Sequence, residues 1–271
     1  MESSSSSTHE RTITTTETPF PHSQETTVKP NRVPCTRCER PIVVCICAGL
    51  PPTPLKLARS RVIVLQHPHE LRRKNRSLPI VRYCLSDDDY GMTVVVGRKL
   101  GDKVDPLVLD WIQDDLSVLL VFPSKDAVSL EEGLDILKKR RQDVALLTSD
   151  NSILEKKVNL LFIDASWKHA KEMVDVNDSR RKWPQNLIKV RLTFTSTGEE
   201  QREKIVPRRF SIRSLPVASC KDDESMYLST AECIAWVLTF IEKDERFFEI
   251  IVKAIDTMVM RWMSMRRTTT H

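Results

Sequence analysis

Apolar and polar positions along this chain fall into two alternating patterns. Short runs rich in Val, Ile and Leu recur at 61–66, 92–96, 117–122, 159–163 and 188–192. Between several of them the apolar residues return at helical spacing, at 106–114, 130–141 and 167–176. Runs this short, bounded by polar turns, suit strands buried on both faces, and their alternation with helical stretches predicts βαβ units. The expected fold class is therefore α/β, a mostly parallel sheet with helices on both faces. Two further helical patterns, 229–242 and 246–265, follow at the C-terminal end. In the second, Phe247, Ile251, Ala254, Ile255, Met258 and Trp262 form one stripe, which predicts burial against a core.

Both patterns are missing at the N-terminal end. Residues 1–31 are rich in Ser and Thr, nearly free of apolar side chains, and broken by Pro19, Pro21 and Pro30. Such a segment cannot bury enough surface to offset its ordering entropy, so a disordered tail is expected. Its Ser content resembles an organellar transit peptide, but Glu2, Glu10, Glu17 and Glu25 against a lone early Arg11 argue against that and toward a cytoplasmic or nuclear protein. After the tail, four of the seven cysteines crowd into Cys35-x-x-Cys38 and Cys45-x-Cys47, and Pro51-Pro52-Thr53-Pro54 follows as a stiff spacer. In a reducing compartment two close thiol pairs read as ligands of one structural Zn²⁺, with an iron–sulfur cluster or free buried thiols as the alternatives. The expected organisation is a tail at 1–31, a four-cysteine zinc knuckle at 32–50 and a catalytic α/β domain at 55–271. Arg37 and Arg40 interleave with the ligands and could touch RNA phosphates.

Composition narrows the partners. No apolar run in the 271 residues approaches a membrane span, so no membrane association is expected. The net charge of +5 is modest, but basic residues clump at Arg72-Arg73-Lys74 with Arg76, at 138–141, at Arg180-Arg181-Lys182 and at Arg208-Arg209 with Arg213. Clumped positive charge suits a polyanion, although Lys and Arg also favour helix C-termini. Only six glycines occur, none in a G-x-G-x-x-G or G-x-x-x-x-G-K arrangement, which argues against a Rossmann cofactor site or a P-loop.

Three polar segments interrupt the apolar pattern where strands should end, the edge at which open α/β sheets bind ligands. The first, Gln66-His67-Pro68-His69-Glu70, reads as a ligand-facing loop. The second is Asp164-Ala165-Ser166-Trp167, running straight into a helical pattern. A helix N-cap explains one of its polar residues, Asp164 or Ser166, but not both ahead of a Trp. The third runs from Ser211-Ile212-Arg213-Ser214-Leu215-Pro216 to Leu228-Ser229-Thr230-Ala231-Glu232. There Ser229-x-x-Glu232 fits a capping box, a helix N-terminus can hold an anion, and Arg213 could grip a carboxylate.

In this order the segments resemble the DTW-domain family, the tRNA-uridine aminocarboxypropyltransferases. The resemblance rests on Cys35-x2-Cys38-x-Arg40-Pro41-x3-Cys45-x-Cys47, Gln66-His67-Pro68-x-Glu70 and Asp164-x-Ser166-Trp167 with Ala170-Lys171-x-Met173. It continues through Ser211-x-Arg213-x2-Pro216 and Leu228-Ser229-Thr230-x-Glu232. The family's Asp-x-Thr-Trp carries Ser166 here, which keeps the hydroxyl, and Arg76 stands where the family has Thr after Asn75.

The resemblance implies a SPOUT-like fold with a knotted C-terminal region. It also implies transfer of the 3-amino-3-carboxypropyl group of S-adenosylmethionine (SAM) to N3 of a tRNA uridine. Asp164, Ser166 and Trp167 are then the expected catalytic residues, with Asp164 as base and Trp167 as a stacking wall. Gln66, His67, Glu70, Arg213, Ser229, Thr230 and Glu232 are the expected SAM contacts. Two other readings stay open on the residues alone. A SPOUT-like RNA methyltransferase would leave S-adenosylhomocysteine, and a non-catalytic zinc-containing RNA-binding protein would not bind SAM at all.

Overall fold

The structure, a computed structural model, describes residues 33–73, 76–88, 91–101, 104–192 and 228–268. Six strands form one sheet: β1 Ser60–Gln66, β2 Met92–Val96, β3 Val118–Val121, β4 Val128–Ser129, β5 Val158–Asp164 and β6 Ile188–Arg191. Their order across the sheet is β2-β1-β5-β3-β6-β4, and every pairing is parallel. The expected α/β class with a parallel sheet is what the chain adopts. The tail at 1–31, Arg213 and the segment 193–227, through which a knotted path would run, lie outside the described residues.

Strand side chains alternate between two apolar layers. Val62, Val64, Leu119, Val121, Leu160 and Phe162 face one layer, which α1 (Leu78–Cys84), α3 (Leu130–Thr148), α5 (Thr230–Glu242) and α6 (Arg246–Thr268) cover. Ile63, Leu65, Val118, Leu120 and Leu161 face the other, covered by α2 (Pro106–Gln113) and α4 (Trp167–Ser179). A buried strand covered on both faces needs a continuous apolar run, which is why these strands show no polar face. Each fully buried Val, Leu or Ile here contributes about 1.5–3 kcal/mol over an exposed one. The stripe expected on the last helix is buried from Phe247 through Met258, with Trp262 half-buried.

Local chemistry sets the helix starts. Asp105 Oδ1 accepts from Leu107 N (2.9 Å) with Pro106 in the first turn, and Ser129 Oγ accepts from Glu132 N (3.1 Å). Helix α3 passes so close over β6 that a Cβ at Gly133 would collide with Val190 Cγ1. Two expectations are corrected. Helix α3 continues past Arg141 to Thr148, and Arg141 is not a surface cation within the basic clump. Its buried guanidinium donates to Leu116 O (2.7 Å), Lys156 O (2.8 Å) and Lys157 O (3.3 Å), tying together the chain entries to β3 and β5.

The cysteine segment is packed into the same core. Cys38, Ile46 and Leu50 join the layer under α6, and a Cβ at Gly49 would collide with the Thr257 side chain. At the opposite end of the sheet from the polar loops, Glu242 closes α5 onto β1. Its carboxylate accepts from Ala58 N (3.0 Å), Arg59 N (3.1 Å), Ser60 N (3.0 Å) and Ser60 Oγ (2.6 Å). Removing these acceptors strands the donors of buried Ser60. Glu242→Ala should therefore cost about 1–3 kcal/mol, read as a lowered midpoint in urea unfolding.

Candidate active site

The carboxyl ends of β1 and β5 lie side by side, with Gln66 in register with Asp164. His67 N donates to Asp164 O (2.9 Å), so the pairing continues one residue past the strand. At this edge Gln66 Nε2 donates to Asp164 Oδ2 (2.7 Å), and Thr230 Oγ1 donates to Asp164 Oδ1 (2.8 Å). Each carboxylate oxygen is thus held by a different segment, one from the first polar loop and one from the start of α5. Asp164 stays half-buried, within reach of a ligand.

Of the two possible caps for α4, Ser166 takes the role. It accepts from His169 N (3.5 Å) and shares a hydrogen bond with His169 Nδ1 (3.1 Å). That leaves Asp164 without a capping duty. Trp167 follows at the first helical position, 39% exposed, with its ring tilted toward Phe122 at 6.3 Å. An exposed indole beside a fixed carboxylate is a ready stacking surface for a planar ligand.

The loop after β1 forms a short 3₁₀ turn, Pro68–Arg72. His67 is buried, and its Nδ1 accepts from His69 N (3.1 Å), which places the ring proton on Nε2. That Nε2 is buried without a hydrogen-bond partner among the described residues. Burial, followed by the neighbouring His169 and His69, pulls the His67 pKa below the ordinary histidine value and keeps the ring neutral. The His67 ring stacks on His169 at 4.2 Å and 3°, with His69 edge-on to both. Nitrogens of the three rings lie within 4.8 Å of one another. Metal ligands aim their in-plane lone pairs at one point, whereas stacked parallel rings aim theirs side by side. The trio is therefore packed as hydrogen-bonding groups and not as a metal centre. Glu70 is buried beneath the turn and pairs with Arg73 Nε (3.1 Å).

At the start of α5 the capping box is complete. Ser229 N donates to Glu232 Oε2 (2.8 Å) and Glu232 N to Ser229 Oγ (3.3 Å). Ser229 and Glu232 are thus committed to the helix start, and of the three residues expected there only Thr230 reaches Asp164. Gln66, His67, Asp164, Ser166, Trp167 and Thr230 come together at one sheet edge, with Glu70 beneath them and Arg213 outside the described residues. His169 was not among the expected site residues. The Ser166-x-x-His169 spacing, from a cap to the third helical position, is the signal that marks it.

The four cysteine sulfurs form a compact group on the other side of the core. Cys35 Sγ lies 3.5 Å from both Cys47 Sγ and Cys45 Sγ, and Cys38 Sγ lies 3.7 Å from Cys45 Sγ. Tetrahedral zinc with bonds of about 2.3 Å spaces its sulfurs about 3.8 Å apart, so the donor set fits that ion. The amide N–H of Cys38, then that of Arg37, hold the Cys35 pKa down to about 6, a knuckle that favours a thiolate. Burial pushes the Cys47 thiol up, so its thiolate needs a metal partner. The neighbouring arginines have local duties: Arg37 donates to Pro51 O, and Arg40 Nη2 donates to Arg76 O (3.1 Å).

Among the described residues no helix is long and apolar enough to cross a membrane. No solved structure matches the chain. Curated relatives named tRNA-uridine aminocarboxypropyltransferase 2 match from Mus musculus and Drosophila melanogaster. The mouse protein is 27% identical over 227 residues, 84% of this chain and 62% of its own length. The fly protein is 27% identical over 225 residues, 83% of this chain and 72% of its own length. A relative from Arabidopsis thaliana, tRNA-uridine aminocarboxypropyltransferase A, is 25% identical over 229 residues, 83% of this chain and 79% of its own length. The chain thus spans about three fifths of the mouse relative. The family profile described as DTW domain matches residues 32–263, from the cysteine knuckle through most of α6, and the chain belongs to the DTW-domain family.

Proposed function

We propose that this protein transfers the 3-amino-3-carboxypropyl group of SAM to N3 of a uridine in tRNA, in the cytosol or nucleus, leaving 5′-methylthioadenosine. The observation that carries the reading is the Asp164 carboxylate, bridged by Gln66 and Thr230 beside the exposed Trp167. The bridge joins three separate motif segments around one anion. The names of the relatives support the substrate and the group transferred.

In the proposed reaction uridine N3 attacks the γ-carbon of the methionyl chain. The bond from that carbon to sulfur breaks, its electron pair stays on sulfur, and the N3 proton passes to a base. All three carbons on the sulfonium are activated, so the outcome depends on holding the γ-carbon in line with N3 at about 3–3.5 Å. Asp164 is the base in this reading, kept in place by its two donors. Trp167 stacks on the base or the adenine, and Ser166 fixes the turn between them. The neutral His67 Nε2–H, Gln66, Thr230 and the N-terminus of α5, with Ser229 and Glu232 shaping it, face the amino-acid end of SAM together with Arg213. Glu70 supports the His67 turn. The four cysteines hold one Zn²⁺, which supplies structural cross-linking and no chemistry.

The product decides the reading. Incubation with SAM and tRNA should yield acp³U in the digested tRNA and 5′-methylthioadenosine in solution by mass spectrometry. S-adenosylhomocysteine instead would make the protein a methyltransferase. Asp164→Asn should lower turnover by about 10²–10⁴-fold while tRNA affinity stays within a few-fold, and an active variant would remove Asp164 from the role of base. Metal analysis should find one zinc per chain. Cys38→Ser should release it and lower the melting temperature by more than about 5 °C, because the knuckle is part of the core under α6.

A further inference from the structure

A cavity of about 1000 Å³ opens beside the site and does not include Asp164. Its floor is the outer part of β2, the strand at one edge of the sheet, and its walls come from the segment after β2 and from α2 and α4. The cavity is continuous with the site at two points. Gly97, in its lining, donates its N–H to Gln66 O (2.9 Å), and Glu172 in its wall lies on α4 within a turn of His169. Its lining is of two kinds. Val96, 50% exposed, and Val176 present apolar surface, while Arg98, Lys99, Arg180 and Lys182 supply positive charge. Arg98 pairs with Glu172 (3.2 Å), whereas no carboxylate among the described residues pairs with the side chains of Lys99, Arg180 or Lys182. Because β2 pairs only with β1, its outer backbone N–H and C=O groups face this same space.

We propose that this groove holds the single-stranded stretch of tRNA next to the target uridine. The proposal rests on the functional reading above and adds a path for the RNA. The unpaired cations receive phosphates, the valines pack against ribose and base, and the open edge of β2 offers hydrogen bonds to the sugar–phosphate backbone. Three unpaired cations favour a polyanion over a peptide strand added to the edge of β2. The basic group at Arg180-Arg181-Lys182, which the reaction itself does not use, gains a role. It carries the strand toward Trp167 from the far end of α4.

The test is charge reversal at two exposed positions, Lys99→Glu with Arg180→Glu. Each lost phosphate contact lowers the slope of log K against log salt by about 0.9 and weakens binding about eightfold near 0.1 M salt. The double variant should therefore bind tRNA at least tenfold more weakly and show a slope smaller by about 2. Lys99→Arg with Arg180→Lys should bind as the unaltered protein does. SAM affinity and the melting temperature in the same preparations report whether the fold and the site are intact. If tRNA affinity and slope stay within twofold of the unaltered protein, the groove is not on the RNA path, and the open edge of β2 is free to dock protein. That result leaves the transferase reading standing. An unaltered protein that binds no tRNA takes down both.

Discussion

The Asp164 carboxylate is the point on which the site's geometry depends. It stands at the end of the central run of the sheet, and its two oxygens are claimed by Gln66 from the neighbouring strand and Thr230 from a helix that starts 66 residues later. A charged acceptor takes roughly twice the strength from each such bond that a neutral one does. The bridge therefore fixes where α5 begins relative to the sheet edge, and with it the direction in which the helix N-terminus points. Trp167 and the imidazole pair inherit their positions from the same edge. Ser166, two residues past Asp164, starts α4, and His169 one turn on is stacked against His67.

Helix α5 is held at its other end as well. Thirteen helical residues reach about 18 Å, and the seven residues of β1 reach about 20 Å, so helix and strand are nearly equal in length. Thr230 meets the carboxyl edge of the sheet and Glu242 meets the amino edge at Ser60. Between these two polar clamps the helix buries Ala231, Ile234, Ala235, Val237, Leu238 and Ile241. Apolar packing alone would let a helix slide along a sheet at little cost. The clamps set its register, and the register decides whether Thr230 meets Asp164.

Much of this architecture is legible in the residues, and the misses have physical reasons. Four of the six strands stand out because burial on both faces demands uninterrupted apolar runs, and β6 is readable in spite of its Lys189. Strand β4 has only two residues and no pattern to show. Helix α1 is missed because seven residues containing Pro79 and the β-branched pair Ile80-Val81 cannot display a helical period. The last two turns of α3 are obscured by exposed Leu146 and Leu147, which break its stripe. At the site, the residue types are visible but their division of labour is not. Nothing local says that Ser166 and not Asp164 caps α4, because the deciding partner, Thr230, is remote in sequence. The same holds for Arg141, a member of a basic clump in sequence and a backbone clamp in the folded chain.

The knuckle packed against the last helix has a consequence for synthesis. Gly49 sits against Thr257 and Ala254, and Ile46 shares its layer with Ile251, Ile255 and Met258. A ribosome delivers the cysteine segment early and α6 late, so the surface that receives the segment does not exist while most of the sheet is being made. The metal can join the four thiolates as soon as they emerge, but the apolar underside of the knuckle stays uncovered until α6 arrives. Productive folding of this chain is therefore a closing of its two ends upon each other, completed after the catalytic edge has already formed.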